Sequence, residues 1–306
     1  MKHQWLGDSI HGIIPPLITP LTSGLDLDIP ALEKLIEHVL KGGVHGIFLL
    51  GSTGEGPSLT DGIRKALIRE SIGMVSGRVP VFVNISAPSF LEACRMAEYA
   101  AQEGAGYAVL SPPYYYDMNT RELLGYYRSV AEASPLPLVI YNAPRYTGIP
   151  VEASLVGELI HHENVVGIKD SSGEMDYVRE LLRRRADESF PILIGPETML
   201  GACLLLGCDG GVSGGANLYP EFYVSYYRAA LENNRAELDG FRDTVRNIQA
   251  NLYEVADSPM GIVIGLKYLL EKRGLCSGYL AMPVYQPLSE NQIRILDTLD
   301  QAMLVL

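Results

Sequence analysis

"LPLVIYN" at residues 136–142 and "VVGIKD" at residues 165–170 are apolar runs that each end in polar residues. A short, continuous apolar run rich in β-branched residues is typical of a strand buried on both faces, as strands are in parallel sheets. The other runs of this kind are GIIPPL (12–17), GIFLLG (46–51), VPVFVNI (79–85), YAVLSP (107–112), FPILIG (190–195) and DGGVSG (209–214). Together these runs predict eight buried strands.

Amphipathic segments separate the predicted strands, and several of them end in glycine. Apolar residues at helical spacing, closed by glycine, are typical of α-helices. Eight strand–helix units between residue 12 and about residue 235 predict an α/β protein with the (β/α)8 TIM barrel fold, which typically needs about 250 residues. An open, doubly wound sheet is the alternative with the same alternation of elements.

Three further helices are predicted after the eighth unit. They are RAELDGFRDTVRNIQANLY (235–253), SPMGIVIGLKYLLEKRG (258–274) and SENQIRILDTLDQAMLVL (289–306). The Ser289 side chain is the expected N-cap of the last helix. We therefore predict a barrel at residues 1–235 and a C-terminal extension of three helices, residues 236–306, packed on the barrel.

Composition and charge exclude several classes of protein. The chain has 306 residues, 47% of them hydrophobic and 20% charged, which is typical of soluble globular proteins. A net charge of −12 argues against nucleic-acid binding, which relies on basic patches. No apolar run approaches the roughly 20 residues of a membrane span, and residues 1–20 lack the apolar core of a signal peptide. Four cysteines without CxxC spacing are expected to be buried free thiols, which favours a cytoplasmic protein.

The polar residues that follow the strands predict a single site. In a parallel barrel these residues gather at one rim, where barrel enzymes keep their active sites. The strand ends supply Thr19, GSTGE (51–55), Asn84, PPYYY (112–116), YNAPRYTG (141–148), KDSSG (169–173), GPE (195–197) and SGGAN (213–217).

Lys169 is the candidate nucleophile at this rim, because it ends a buried strand. A lysine at the barrel mouth loses hydration, so its pKa falls and a neutral amine becomes available. The alternative is a lysine that extends to solvent or pairs with Asp170. Tyr141 ends the preceding strand, where its phenol is placed to shuttle protons; the alternative is a tyrosine that only fills a core layer.

Three loops at the rim have open interpretations. GSTGE offers clustered N–H groups and hydroxyls for a carboxylate or phosphate, or is a plain glycine turn. SGGAN occupies the region of the barrel phosphate site, or relieves crowding where the barrel closes. PPYYY is a stacking platform or part of a subunit interface. The histidines show no ligand spacing, so we predict no metal.

GSTGE, PPYYY, YNAPxxTG and GIKDSSG, in this order at these strand ends, resemble the dihydrodipicolinate synthase and N-acetylneuraminate lyase family of pyruvate-dependent Schiff-base enzymes. The resemblance spans nearly the whole chain, including PLSENQ at residues 287–292. It implies that Lys169 forms an imine with pyruvate or another 2-keto acid and that Tyr141 moves protons. It further implies that the loop of Gly51, Ser52 and Thr53 holds the pyruvate carboxylate, with Ser52 in a hydroxyl relay with Tyr141.

The resemblance also implies an assembly and a cofactor requirement. Tyr115 matches a relay tyrosine that reaches into the site from a neighbouring subunit, in a tight dimer within a homotetramer. The covalent imine removes the need for an organic cofactor or a metal. The expected partner is a small 2-keto acid, with no nucleic acid and no membrane.

The substrate is where this chain departs from the family pattern. Members that make dihydrodipicolinate carry arginine directly before the Thr-Gly of YNAPxxTG, whereas this chain has Tyr146 there and Arg145 one residue earlier. Sialate lyases carry an acidic pair where this chain has only Glu197. Glu197, Ser171 and Ser213 are then expected to bind sugar-acid hydroxyls, and Arg145 and Tyr146 to meet the substrate tail.

We therefore predict a class I, metal-independent lyase or aldolase that forms pyruvate from a 2-keto-3-deoxy sugar acid or a related 2-keto acid. One alternative is 4-hydroxy-tetrahydrodipicolinate (dihydrodipicolinate) synthase, which condenses pyruvate with aspartate semialdehyde. An alternative of another class is a non-catalytic barrel that binds a small acid. A sugar-phosphate isomerase-type barrel, which would form no imine, is a further hypothesis, because a fold does not fix a function.

Overall fold

A ring of eight parallel strands forms the centre of the computed structural model, which describes residues 10–186, 188–281 and 287–305. The strands are β1 (Gly12–Ile13), β2 (Ile47–Leu49), β3 (Val81–Asn84), β4 (Tyr107–Leu110), β5 (Leu138–Asn142), β6 (Val165–Asp170), β7 (Ile192–Ile194) and β8 (Gly210–Gly211). Each lies within a run predicted from the sequence. The prediction about a signal peptide falls partly on residues 1–9, which lie outside the described residues.

The sheet closes into a ring where the β1 side meets the β2 side. Hydrogen-bonded neighbours follow the order β1-β8-β7-β6-β5-β4-β3-β2. A parallel bridge between Pro16 and Phe48 then joins the β1 side to the β2 side. In that bridge the Leu17 N–H donates to the Phe48 carbonyl at 2.9 Å, and the Phe48 N–H donates to the Pro15 carbonyl at 3.0 Å. The closed ring confirms the barrel and excludes the open, doubly wound sheet.

Helices surround the strands and cover them with their apolar faces. The helices up to residue 231 are α1 (Ile29–Lys41), α2 (Asp61–Val75), α3 (Phe90–Glu103), α4 (Thr120–Ala133), the short α5 (Pro144–Thr147), α6 (Ala153–Leu159), α7 (Met175–Arg185), α8 (Glu197–Leu205) and α9 (Pro220–Leu231). Polar caps fix several helix starts; for example, the Asn119 side chain accepts from the Glu122 N–H in a capping box. The ring interior is filled by buried side chains such as Phe48, Phe82 and Leu193.

Three more helices follow α9, as the sequence predicts. They are α10 (Arg235–Ile248), α11 (Gly261–Lys272) and α12 (Glu290–Met303), and a π-helical turn (Gln249–Tyr253) extends α10. Ser289 caps α12 by accepting from the Gln292 N–H, which confirms its predicted role. The division of the chain at residue 235 stays a prediction. In the part of the chain that the structure describes, no helix combines the length and the apolar character needed to cross a membrane.

Candidate active site

Lys169 and Tyr141 lie side by side at the carboxyl ends of neighbouring strands. Parallel pairing of β5 with β6 makes them register partners. The Lys169 Nζ lies 4.0 Å from the centroid of the Tyr141 ring and 4.7 Å from that of Phe48. Both side chains are buried, with 6% of Lys169 and 5% of Tyr141 exposed. The barrel register therefore produces the pair that the sequence predicts.

The Lys169 amine has the electrostatics of a nucleophile. Burial disfavours its charged form and lowers its pKa from 10.5 to about 7, so a large fraction of the amine is neutral near neutral pH. Pairing with Asp170, the alternative considered from the sequence, is not what the structure has. The Asp170 carboxylate accepts instead from Asn142 Nδ2 and from the Ser172 hydroxyl, each at 2.8 Å. Lys169 does not extend to solvent either.

Tyr141 is a neutral phenol linked to the GSTGE loop. Its hydroxyl lies 3.5 Å from the Ser52 Oγ. Burial raises its pKa, and hydrogen bonds from Ser52 and Ser171 partly oppose that effect. A neutral phenol with two hydroxyl neighbours can accept a proton while passing its own to the next hydroxyl. The two hydroxyls of the predicted proton relay therefore lie close to each other, and the relay itself stays a prediction.

The GSTGE loop is held in place by side chains from other strand ends. The Thr19 hydroxyl donates to the Gly54 carbonyl at 2.6 Å, and Asn84 Nδ2 donates to the Leu50 carbonyl at 2.9 Å. A Cβ at Gly54 would lie 2.6 Å from the Leu17 carbonyl oxygen, so only glycine fits there. Gly51 packs on the Phe48 ring. The loop is thus a turn that requires glycine, and it also holds Ser52 and Thr53 at the cleft.

A cleft of about 730 Å³ opens above Lys169. It is far larger than pyruvate needs and has room for a longer substrate. The predicted residues that line it are Ser52, Thr53, Tyr141, Arg145, Tyr146, Lys169, Ser171 and Glu197. These residues come from four different strand ends, those of β2, β5, β6 and β7. The structure therefore brings most of the predicted site together.

The segment 141–148 divides into a turn and a cleft wall. Asn142 supports the turn, because its Oδ1 accepts from the Val151 N–H at 3.0 Å. The Thr147 hydroxyl donates to the Ile149 carbonyl at 3.0 Å, and Gly148 ends α5 with a φ of 72°, a conformation that favours glycine. Arg145 and Tyr146 are exposed on the cleft side of this turn.

Glu197 and Ser213 occupy more enclosed positions than a substrate-binding role suggests. Glu197 is buried, and its carboxylate accepts from the Gly215 N–H at 2.9 Å, from the Tyr253 hydroxyl at 2.5 Å and from the Tyr223 hydroxyl. Burial raises its pKa. Ser213 is buried beside the cleft, and its hydroxyl has no hydrogen-bond partner among the residues that the structure describes. Their binding to substrate hydroxyls stays a prediction.

Tyr115 lies outside the cleft of its own chain. Its side chain is 77% exposed, and its ring contacts that of Tyr116 with the two centroids 4.9 Å apart. A large exposed aromatic pair of this kind fits a surface that meets another molecule. The predicted contribution of Tyr115 to a neighbouring subunit's site stays a prediction.

One wall of the cleft was not predicted from the sequence. It comes from the π-helical turn and the connection to α11, and consists of Gln249, Tyr253, Glu254, Ala256, Asp257, Ser258, Pro259 and Ile262. The available signal was the short polar connection between two predicted helices at the strand-end rim.

Within the described ranges, the structure contains no group of three or more His, Cys, Asp or Glu side chains that could hold a metal ion.

Comparison with known proteins identifies a family and several individual proteins that this chain resembles. The sequence model of the dihydrodipicolinate synthetase family matches residues 9–302. The chain is 33% identical over 295 residues to YagE of Escherichia coli K12, provisionally named a 2-dehydro-3-deoxy-D-gluconate aldolase, covering 95% of this chain and 96% of YagE. It is 35% identical over 228 residues to YjhH of the same organism, provisionally named a 2-dehydro-3-deoxy-D-pentonate aldolase, covering 74% of this chain and 76% of YjhH.

Solved structures agree with this assignment. The crystal structure of YagE in complex with pyruvate superposes with a TM-score of 0.90 at 32% identity, covering 97% of this chain and 99% of YagE. The dihydrodipicolinate synthase of Bacteroides thetaiotaomicron superposes with a TM-score of 0.90 at 37% identity, covering 95% of this chain and 98% of that chain. The relatives therefore include proteins with provisional aldolase names and proteins named as synthases.

Proposed function

Because the chain belongs to the dihydrodipicolinate synthetase family, we propose that it is a class I lyase that releases pyruvate from a 2-keto-3-deoxy sugar acid through an imine on Lys169. One observation carries this proposal. The Lys169 amine is buried with no acidic partner in the described part of the chain, has a pKa lowered to about 7, and lies at the floor of a cleft next to Tyr141.

The first stage of the reaction is imine formation. The neutral Lys169 amine attacks the C2 carbonyl of the keto acid, and the carbinolamine loses water to give a protonated imine. The Tyr141 hydroxyl, carried by the ring that contacts the amine and 3.5 Å from the Ser52 Oγ, supplies and removes the protons of this step. Ser52 and Thr53 hold the substrate carboxylate at the end of the GSTGE loop.

The second stage breaks the bond between C3 and C4. The C4 hydroxyl gives up its proton to the Tyr141 relay, C4 becomes an aldehyde carbonyl, and the electron pair of the broken bond moves into the protonated imine to form an enamine. The enamine then takes a proton at C3, and water hydrolyses the imine to release pyruvate and the free Lys169 amine. We propose that this sequence needs neither a metal nor an organic cofactor.

The sugar-acid substrate is supported by the cleft and by the relatives. A polar cleft of about 730 Å³ suits a hydroxylated tail beyond the keto acid, and YagE and YjhH carry sugar-acid aldolase names. The synthase reaction is the second candidate, since the B. thetaiotaomicron structure is a synthase. Tyr146 occupies the position at which family members that make dihydrodipicolinate carry arginine. This difference favours the aldolase reaction.

The assembly and compartment are also part of the proposal. We propose a homotetramer in which Tyr115 of one subunit completes the hydroxyl relay of its neighbour, as the exposure of Tyr115 permits. Cys94, Cys203, Cys208 and Cys276 are buried free thiols, as expected, and favour a reducing compartment such as the cytoplasm.

A substrate panel tests the proposed reaction. Pyruvate release is measured with 2-keto-3-deoxy sugar acids of five and six carbons and with sialate, alongside condensation of pyruvate with aspartate semialdehyde. We expect release from at least one keto-deoxy sugar acid, with a kcat/KM at least about tenfold above that of every other reaction, a difference of about 1.4 kcal/mol in transition-state binding. Condensation with aspartate semialdehyde as the fastest reaction would favour the synthase instead.

A further inference from the structure

Glu55 and Lys267 form a buried ion pair between the GSTGE loop and the C-terminal helix α11. The Lys267 Nζ contacts the Glu55 Oε1, and the two side chains are 1% and 0% exposed. None of the reaction steps above uses either residue. Moving two charges out of water costs free energy, which their mutual attraction repays only when they are well paired and hydrogen-bonded. We therefore expect a role of this pair other than stability.

The two charges are held by further contacts on the C-terminal side. The Glu55 Oε2 accepts from the Ala281 N–H at 2.6 Å. The Lys267 Nζ donates to the Tyr279 carbonyl at 2.5 Å. Glu55 therefore contacts two separate parts of the C-terminal extension, the helix α11 and the segment that follows it. The loop end is fixed to the extension from both.

Glu55 is also connected directly to the residues that meet the substrate. Its N–H donates to the Ser52 carbonyl at 3.1 Å, and the next N–H, that of Gly56, donates to the Gly51 carbonyl at 3.2 Å. Glu55 has a φ of 57°, a left-handed conformation that is uncommon for a residue other than glycine. A backbone in this conformation needs its surroundings to hold it, and the pair with Lys267 supplies that support.

We propose that Glu55 and Lys267 are positioning residues for the keto-acid carboxylate. Their ion pair fixes the left-handed turn at Glu55, and through it the Ser52 hydroxyl and the N–H groups of the loop. The C-terminal extension thus takes part in binding pyruvate without touching it. The proposal rests on the proposed function of Ser52 and Thr53 as the carboxylate-binding residues.

Substitutions of the pair separate this role from a general contribution to stability. Glu55→Gln keeps an acceptor for Ala281 but leaves Lys267 unpaired, and Lys267→Met removes the charge from the other side. The Glu55→Gln/Lys267→Met double variant removes both charges at similar volume. The matched control is Asp300→Asn, which breaks the ion pair between α12 and Arg273, the residue that follows α11; Arg273 Nη2 and Asp300 Oδ1 are 2.5 Å apart.

Calorimetric titration with pyruvate gives the dissociation constant whether or not an imine forms. We expect each single variant to bind pyruvate at least about tenfold more weakly, because small displacements of binding groups have large effects. The double variant should bind more tightly than either single variant, since it buries no unpaired charge. Asp300→Asn should lower the Tm but leave the pyruvate dissociation constant within about twofold of the wild-type value. That change is well below the tenfold weakening expected of the single variants.

The possible outcomes are distinct. Single variants that fold and bind pyruvate like the wild type would overturn the positioning role. If the single variants do not fold, the double variant decides: an affinity equal to that of the wild type, with only the Tm lowered, would also overturn it. Borohydride trapping is run in parallel on the wild type. Weakened binding in the variants, with no trapped adduct in the wild type, would support the positioning role and contradict the imine chemistry. A wild type that binds no pyruvate would overturn both.

Discussion

Lys169 and Tyr141 are register partners on the adjacent strands β6 and β5, and the Lys169 Nζ lies 4.0 Å from the centroid of the Tyr141 ring. The ring and the barrel wall exclude water from the amine, which is the physical cause of its lowered pKa. The same contact places the phenol ring of Tyr141 against the amine that we propose forms the imine. One pairing in the sheet thus provides both the proposed nucleophile and its proposed proton carrier.

The lowered pKa of Lys169 predicts how imine formation depends on pH. Below pH 7 the amine is mostly protonated, so the trapping rate at low pyruvate should rise about tenfold for each pH unit, the slope expected for loss of one proton. Above the pKa of about 7 the rate should level off. Stopped-time borohydride trapping between pH 5 and 9 checks this, and a rate still rising steeply at pH 9 would contradict it.

The same pKa has a consequence for stability. The pKa of Lys169 is about 7 in the folded chain and 10.5 in the unfolded chain, so between these values the unfolded chain binds more protons. Stability relative to a Lys169→Met variant should therefore rise as the pH increases from 7 towards 10.5 and stay constant below 7. Urea denaturation of both proteins at pH 7 and pH 9 measures the difference. An equal gap at the two pH values would show that Lys169 is charged in the folded chain.

Removal of the Tyr141 hydroxyl should slow catalysis without unfolding the protein. Tyr141→Phe keeps the ring that packs against Phe48, so the Tm should change little. Loss of the proton carrier should lower kcat by about 10²- to 10⁴-fold. Steady-state pyruvate release with the preferred keto acid gives the comparison. Ser52→Ala, which removes the other end of the 3.5 Å contact, should give a loss in the same direction.

Arg145 and Tyr146 should affect the substrate tail and not the keto-acid end. They lie on the turn after β5, at the cleft wall. The GSTGE loop, which we propose holds the carboxylate, follows β2 instead. Arg145→Ala and Tyr146→Phe should raise the KM for the sugar acid by about threefold to tenfold, equivalent to about 0.7 to 1.4 kcal/mol of lost binding. The pyruvate concentration that half-saturates borohydride trapping should not change. A parallel rise in that concentration would show that the turn supports the carboxylate site.

Glu197 offers a test that separates structure from substrate binding. Glu197→Leu leaves the Tyr223 and Tyr253 hydroxyls and the Gly215 N–H without their buried acceptor, so the free energy of unfolding should fall by about 2–4 kcal/mol. Glu197→Gln retains acceptor capacity and should cost less stability. If Glu197 also binds substrate hydroxyls, Glu197→Gln should raise the KM for the sugar acid. An unchanged KM would leave Glu197 with a structural role alone.

The strand-end part of the site was predictable because a parallel barrel converts sequence position into spatial position. Lys169, Tyr141 and Ser52 each follow a buried apolar run, so the fold alone brings them to one rim. Local pattern and overall topology agree at these positions.

The rest of the site depends on contacts between distant parts of the chain. The wall containing Gln249 and Tyr253 forms where α10 becomes a π-helical turn, a local irregularity that periodicity does not indicate. The hydrogen bonds that tyrosines from α9 and from that turn donate to the Glu197 carboxylate join distant parts of the chain in the same way. The contact of Glu55 with Lys267 joins a strand-end loop to a helix far along the chain, and no spacing rule predicts such a pair.

Borohydride reduction in the presence of pyruvate, followed by peptide mass spectrometry, tests the central claim most directly. The chain contains its own control, because Lys267 is equally buried but paired with Glu55. We predict that the peptide containing Lys169 gains the mass of one reduced pyruvate imine and that the peptide containing Lys267 does not. An unmodified Lys169 at saturating pyruvate, or an adduct on another lysine, would contradict the account.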